Sequence, residues 1–305
     1  MRDVIIIGGG AAGLGAALYS ARFSLDTMCI AKEFGGTGNI AHKVDNWIGD
    51  PGISGFDLMQ RFEKHVKEYN VPLISDEVKE IKKIEGGFEV VGKETYQGKT
   101  IILAVGMKHR ELGIPGEKEF AGNGVHYCYT CDGPLYKDKN IAVVGGGDSA
   151  ALGALMLKDY AKKVSMLYRG EKLRAEPFNS EAVEKSENVE IITKVNVVEV
   201  LGDETGMTKV KLDNGDEMVL DGLFIEIGHI PLNELAKKLE VKLDEKGFVE
   251  VENDQSTNVE GVYVAGDLSN ITGLKQFITS ASQGSIAAQS AYHYIMKNKW
   301  GKLKW

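Results

Sequence analysis

Apolar positions in this chain fall in short blocks rather than long stripes. DVIIIGGGAAGLGAALYSA (3–21) and NIAVVGGGDSAALGALMLK (140–158) each open with a β-branched run, break at glycines and continue as an alanine-rich helical pattern. They align without a gap. The periodicity changes at the glycines, so each block predicts a strand, a tight turn and a helix. A second apolar run follows each block, DTMCIAKE (26–33) and KVSMLYRG (163–170). TIILAVGMKHRELGIPG (100–116) closes the first unit, DGLFIEIGHIPLNELA (221–236) closes the second, and VYVAGDLSN (262–270) adds one more strand running into Gly266-Asp267.

The blocks carry G-x-G-x-x-G or G-x-G-x-x-A between strand and helix, the pattern of a dinucleotide-binding turn. Gly8 and Gly145 permit the turn, Gly10 and Gly147 let the backbone approach a pyrophosphate, and Gly13 or Ala150 lets the helix lie close to its strand. The anion then rests on the helix N-terminus. Glu33 ends the second strand where an acidic residue bonds a ribose hydroxyl, the alternative being a solvated strand end. VYVAGDLSN follows the second unit but suits the first, since Asp267 can meet a polyol chain. The expected fold is therefore α/β, with two Rossmann-like, three-layer ββα domains, the second inserted into the first. The first domain takes residues 1–114 and 244–305, and the insertion takes 115–243.

Composition narrows the function. The 305 residues are 43% hydrophobic and 26% charged, which suits a globular protein with a real core. A net charge of -8 with scattered basic residues argues against nucleic acid as a partner. The first apolar run is glycine-broken and too short to span a bilayer, and no cleavable leader pattern precedes it, so a cytoplasmic protein without a membrane partner is expected.

The chemistry centres on HYCYTCDGPLY (126–136). Its Cys128 and Cys131 can close a disulfide, hold half a zinc site, or do neither. A closed structural zinc site takes four ligands. The remaining cysteine, Cys29, sits in an apolar strand, and the six histidines contain no pair at ligand spacing, so no metal is expected. His126 reads as a loop or core residue. A redox pair makes chemical sense, because C-x-x-C spacing lowers a thiol pKa and the thiolate is the nucleophile. Asp132 can serve such a pair as general acid and base, or can simply begin the Asp-Gly-Pro turn.

GGGAAG, VDNWIGDP (44–51), CYTCDG, GGGDSA, IGHIP (227–231), VYVAGD and LKQFITSASQGSIAA (274–288) occur together in one order. In these motifs the chain resembles the low-molecular-weight thioredoxin reductases over essentially its whole length. The resemblance implies FAD in the first domain, NADPH or NADH in the second, a homodimer, and thioredoxin or a thioredoxin-like or glutaredoxin-like protein as substrate. It implies that Gly8, Gly10 and Gly13 meet the FAD pyrophosphate, Asn46 and Gln276 the flavin side, and Asp267 the ribityl region. Ala11, Ala12, Gly36, Thr37, Gly106, Gly266 and Lys275 join that cofactor set. Gly145, Gly147, Asp148 and Ser149 fall to the second nucleotide, with Arg169 and Arg174 for a 2'-phosphate. By the same likeness Cys131 faces the flavin, Cys128 attacks the substrate disulfide, and the domains rotate during turnover.

The chain departs from that family in three places. Gly35-Gly36-Thr37 stands where members carry GGQ. Members using NADPH present H-R-R-x-x-x-R where this chain reads Tyr168-Arg169-Gly170-Glu171-Lys172-Leu173-Arg174. One missing charge-assisted bond weakens NADPH selectivity roughly 10- to 150-fold. Reduced ferredoxin or a deazaflavin is the alternative donor. The tail KNKWGKLKW (297–305) reads as a frayed end, or as a terminal tryptophan that stacks on the flavin or docks on a partner. Among other functions, the flavoprotein of a peroxide-reducing system resembles this chain fused to an extra N-terminal redox domain, whereas here residue 4 begins the first strand. A ferredoxin-nicotinamide reductase lacks C-x-x-C. A non-catalytic flavin-binding redox sensor is the reading from another class.

Overall fold

In the computed structural model, which describes residues 1–41, 44 and 46–300, each predicted apolar run is a strand inside a parallel sheet. The chain divides into two units. One comprises Met1–Lys108 and the segment from Ile230 onward; the other is His109–His229.

In the first unit the strand Arg2–Gly9 lies between Thr27–Phe34 and Thr95–Leu103, parallel to both, with Val4 opposite Thr27 on one side and Thr100 on the other. Val262–Val264 pairs in parallel with Ile101, Ile102 and Leu103. Leu73–Ser75 extends the far edge, and Glu80–Ile84 and Gly87–Val91 add an antiparallel wing. Strand side chains alternate between faces. Val4 and Ile6 pack with Leu14, Ala16 and Ala17 of the helix Ala11–Arg22 and with Ala287, Ala288 and Ala291 of the helix Phe277–Trp300. Ile5 and Ile7 pack on the other face with Ile101, Leu103, Val262 and Val264. The two helices approach closely because they meet at small residues: a Cβ on Gly284 would stand 2.0 Å from the Ala12 carbonyl oxygen.

The second unit repeats this plan. Its parallel sheet runs Val189–Thr193, Lys163–Tyr168, Asn140–Val144, Gly222–Ile225, Val125–His126. Ile141 and Val143 face the helix Asp148–Leu157, while Ala142 and Val144 face an antiparallel meander of Val197–Asp203, Gly206–Leu212 and Glu217–Val219.

The divisions fall at 108/109 and 229/230 rather than the expected 114/115 and 243/244. Packing gives the reason. Ala236, Leu239 and Val241 join the core of Ile5 and Ile7, while Leu112 and Ile114 pack with Val125 and Val200 of the second unit. In the tail, Trp300 closes the last helix. The expectation for Trp305 lies outside the described residues. No helix among them is long and apolar enough to cross a membrane.

Candidate redox and dinucleotide site

Both glycine turns have the geometry of an anion cradle. At the first, Gly8 holds φ +118°, and a Cβ there would fall 2.2 Å from the Ala104 carbonyl oxygen; one on Gly13 would fall 1.8 Å from the Gly8 oxygen. Internal packing thus accounts for both. A Cβ on Gly10 would meet nothing within 4 Å, although Gly10 caps the helix that starts at Ala11 and Ala12. That open face fits a pyrophosphate on the helix N-terminus. The second turn repeats this: Gly145 holds φ +149° with its Cβ position 2.3 Å from the Glu226 carbonyl oxygen, and Gly147 faces open space before Asp148 and Ser149.

Around the first turn the strand ends bring together most of the expected set. The backbone N–H of Gly35 donates to the Gly9 carbonyl at 2.8 Å, and Gly36, beside Thr37 and with φ +54°, lies against Gly10. The exposed Glu33 accepts from Asn39 Nδ2 at 3.2 Å. Asn39, which the sequence did not single out, keeps a buried Oδ1 with no partner among the described residues. Gly266 abuts Ala12 and donates its N–H to Gln283 Oε1 at 2.8 Å, while Asp267 Oδ1 accepts from Ser280 Oγ at 3.1 Å. Gln283 and Ser280 were missed as individuals, although the motif 274–288 contains them. Asn46 Nδ2 donates to Gln276 Oε1 at 2.9 Å across 230 positions of sequence. Lys275 donates to the Ser269 carbonyl and lies 5.0 Å from the Phe248 ring centre; burial holds its pKa below the ordinary lysine value. Gly106, at φ +70°, faces open space.

The second turn is more encumbered. Tyr168 is buried with its ring against Gly146 and Gly170, where Cβ atoms would stand 2.4 and 2.6 Å from it. A side chain at 170 would therefore have to displace the Tyr168 ring. Arg174 donates its backbone N–H to the Gly146 carbonyl and holds its guanidinium 6.0 Å from the Tyr168 ring centre. Arg169 is exposed. Glu171 pairs with Lys194 at 2.7 Å, so its charge is partly offset. Asp148 Oδ1 accepts from the Glu176 backbone N–H at 2.8 Å and from Asn179 Nδ2 at 2.9 Å; these bonds hold its carboxyl below the usual range.

The cysteine pair lies in the second unit. Cys128 and Cys131 are joined as a disulfide across the short helix Tyr129–Asp132. Asp132 is only 6% exposed, and its Oδ2 stands 3.0 Å from Nδ1 of His126, itself 3% exposed. His126 Nε2 is 2.6 Å from the Tyr136 hydroxyl. Asp132 Oδ1 has no partner among the described residues. A buried oxygen left unpaired beside a disulfide can hold a proton for it. Cys29 is fully buried, and burial pushes its thiol up to about 12, which makes it inert. No cluster of three or more metal-ligating side chains occurs among the described residues.

Comparison with known proteins agrees with this arrangement. Residues 2–284 match the model of the family described as pyridine nucleotide-disulphide oxidoreductase. The thioredoxin reductase of Listeria innocua is 38% identical, the alignment covering 97% of this chain and 95% of that protein. An alkyl hydroperoxide reductase protein of Pseudomonas putida is 34% identical over 97% of this chain but only 58% of its own length. The crystal structure of thioredoxin reductase from Streptococcus pyogenes superposes with a TM-score of 0.88 at 33% identity, covering 97% of this chain and 99% of that one. The chain thus belongs to the pyridine nucleotide-disulphide oxidoreductase family.

Proposed function

We propose that this protein is an FAD-dependent reductase of the disulfide in thioredoxin or a thioredoxin-like or glutaredoxin-like small protein, acting in the cytoplasm as a homodimer. The closed Cys128–Cys131 bridge carries this reading, set beside a buried carboxyl oxygen without a partner among the described residues. It is supported by full-length likeness to proteins named thioredoxin reductase. FAD, when bound, accepts two electrons from a donor and passes them to a disulfide. Gly8, Gly10, Gly13, Glu33, Asn46, Asp267 and Gln276 would hold it, and Gly145, Gly147, Asp148 and Ser149 would hold NADPH or NADH.

The residues of the chain then divide the thiol chemistry. The Cys128 thiolate attacks one sulfur of the substrate disulfide, forming a mixed disulfide and expelling the other sulfur as a thiolate. Asp132 gives that thiolate its proton. Asp132 recovers a proton from the Cys131 thiol, whose thiolate attacks Cys128 and restores the bridge, and the second substrate sulfur, expelled as a thiolate, takes that proton. One dithiol is oxidised and one substrate disulfide reduced. The single test is a trap: Cys131→Ser, reduced and mixed with oxidised thioredoxin, should accumulate a mixed disulfide on Cys128. Absence of both the trapped species and turnover by the parent would favour the redox-sensor reading.

A second donor reading has its own support. Tyr168 occupies the space an arginine at 170 would need, which favours reduced ferredoxin or a deazaflavin over NADPH. The open face of Gly147 favours a nicotinamide, and a nicotinamide is the donor assigned. Anaerobic stopped-flow mixing with NADPH, NADH, reduced ferredoxin and reduced deazaflavin decides it. Bleaching of the flavin by ferredoxin or deazaflavin, with none by either nicotinamide, overturns the assignment.

A further inference from the structure

The residue that the thiol chemistry above leaves unused is Glu226, which follows the strand Gly222–Ile225 at the end nearest the second glycine turn. Its side chain is buried, with 5% exposure. One partner is Ser149 Oγ, which donates to Glu226 Oε2 at 2.5 Å across 77 positions of sequence. On its other side the strand pairs in parallel with Val125–His126, with Phe224 opposite His126, so Glu226 and Cys128 each follow that pair by two residues. Tyr129 is the residue immediately after Cys128 and opens the helix that carries Cys131 and Asp132. A buried carboxyl bonded to the dinucleotide turn thus lies next to the start of the redox loop.

We propose that Glu226 is a positioning residue that sets the reactivity of Cys128 and links it, through Ser149, to the second dinucleotide turn. This rests on the dithiol reading above. Neutral, the carboxyl leaves the Cys128 thiolate undisturbed. Ionised, it places a negative charge in a poorly screened interior near the start of the redox loop, where it disfavours a second negative charge on the Cys128 sulfur.

The surroundings allow both states. Burial raises the carboxyl to about 7, against the opposing hydrogen bond from Ser149. Other ionisable groups near it are few. The Tyr129 phenol is pushed up by burial and then by Glu226 itself. Asp148, on the same turn, is engaged by Glu176 and Asn179. Asp132 and His126 pair with each other at the opposite end of the short helix. No cation among these groups holds Glu226 ionised.

The test uses reduced, flavin-loaded protein carrying Cys131→Ser, with iodoacetamide as the probe and mass spectrometry reporting the labelled site. The Cys128 thiolate displaces iodide, so the rate measures its population and nucleophilicity. In acid, where Glu226 is neutral, Glu226→Gln should alkylate at the same rate as its parent. Above neutrality the variant should be about tenfold faster, the equivalent of one pKa unit on the thiol. A role confined to folding would change the ratio equally at every pH. Ser149→Ala should move the onset of the parent's slowing to higher pH, because it removes a donor to the ionised form, and should do nothing further when Glu226→Gln is already present. If Glu226→Gln fails to fold, the Ser149→Ala shift decides alone. A flat rate ratio, or an onset unmoved by Ser149→Ala, overturns the proposal. Cys128 that stays unlabelled at every pH overturns the dithiol reading, and the proposal with it.

Discussion

The two glycine turns share a backbone and differ in what surrounds it. At the first, Gly13 lies hard against Gly8, and the neighbours of Gly10 leave its outer face clear. At the second, Ala150 replaces the third glycine, a tyrosine ring lies on Gly146, and Asp148 and Glu226 bring two carboxyls to the loop. A glycine pattern therefore reports a backbone able to receive a phosphate. The side chains around it decide how well the phosphate is received. The same motif read twice in one chain is a strong statement about fold and a weaker one about ligand.

The largest expected effect separates the glycines within one turn. Gly10→Val should give a folded protein with no flavin, since its Cβ meets only open space, whereas Gly13→Val should fail to fold, its Cβ being driven into the Gly8 carbonyl. Absorbance of bound flavin and circular dichroism on the two purified variants check this. Equal flavin content in Gly10→Val and the parent would remove the pyrophosphate from the first turn. Gly147→Val is the companion: it should keep its flavin and lose bleaching by nicotinamide.

Next in size are the thiols. Cys128→Ser and Cys131→Ser should each lower steady-state thioredoxin reduction by at least about a hundredfold, yet only Cys131→Ser should trap substrate. Trapping by both would exchange or dissolve the two roles.

An intermediate effect concerns stability. The buried Glu226 carboxyl is raised from 4.5 to about 7, so the folded state binds its proton more tightly than the unfolded chain does. The stability this contributes is fully present below the unfolded value and is lost as pH rises through about 7. Its full size is on the order of 3 kcal/mol. Urea midpoints on either side of that window should fall more with rising pH in the parent than in Glu226→Gln. Parallel pH profiles would show that the carboxyl is ionised throughout.

Much of this was legible in the sequence, for a physical reason. A strand buried on both faces of a parallel sheet must be apolar throughout, so runs such as VIII and IAVV announce themselves locally. The glycines of a phosphate turn are constrained by their own backbone and announce themselves too. What stayed hidden depends on residues far apart along the chain. Ser149 meets Glu226 and Asn46 meets Gln276 only after folding. His126, set aside as a loop or core residue, is in the core, but its contact with Asp132 runs through a turn of the chain that spacing does not predict. The units divide away from the expected bounds for a similar cause: the segment holding Ala236, Leu239 and Val241 reads as a continuation of the second unit, while its apolar side chains pack in the first core.

The smallest effect concerns Tyr168. Gly170→Arg alone should not improve use of NADPH over NADH, because its Cβ strikes the Tyr168 ring. Combined with Tyr168→His, it should shift the ratio of kcat/KM values toward NADPH by about tenfold, the worth of one regained charge-assisted bond. Additive single effects would show that the ring is no obstacle.

The discontinuous first unit has a consequence for synthesis. The second unit is one uninterrupted stretch, His109–His229, and every strand of its parallel sheet has been made once the ribosome passes it. The first unit begins with residue 1 but must wait for Val262–Val264 and for Ala287, Ala288 and Ala291, which cover Val4 and Ile6. At roughly 5–20 residues per second, the interval between the end of the second unit and arrival of that helix is about 3 to 12 s. During it the earliest strand has half its cover missing. The inserted unit should therefore be first to fold on the ribosome, and a nascent chain halted soon after it has emerged should already be protease-resistant there while its N-terminal segment is still cut.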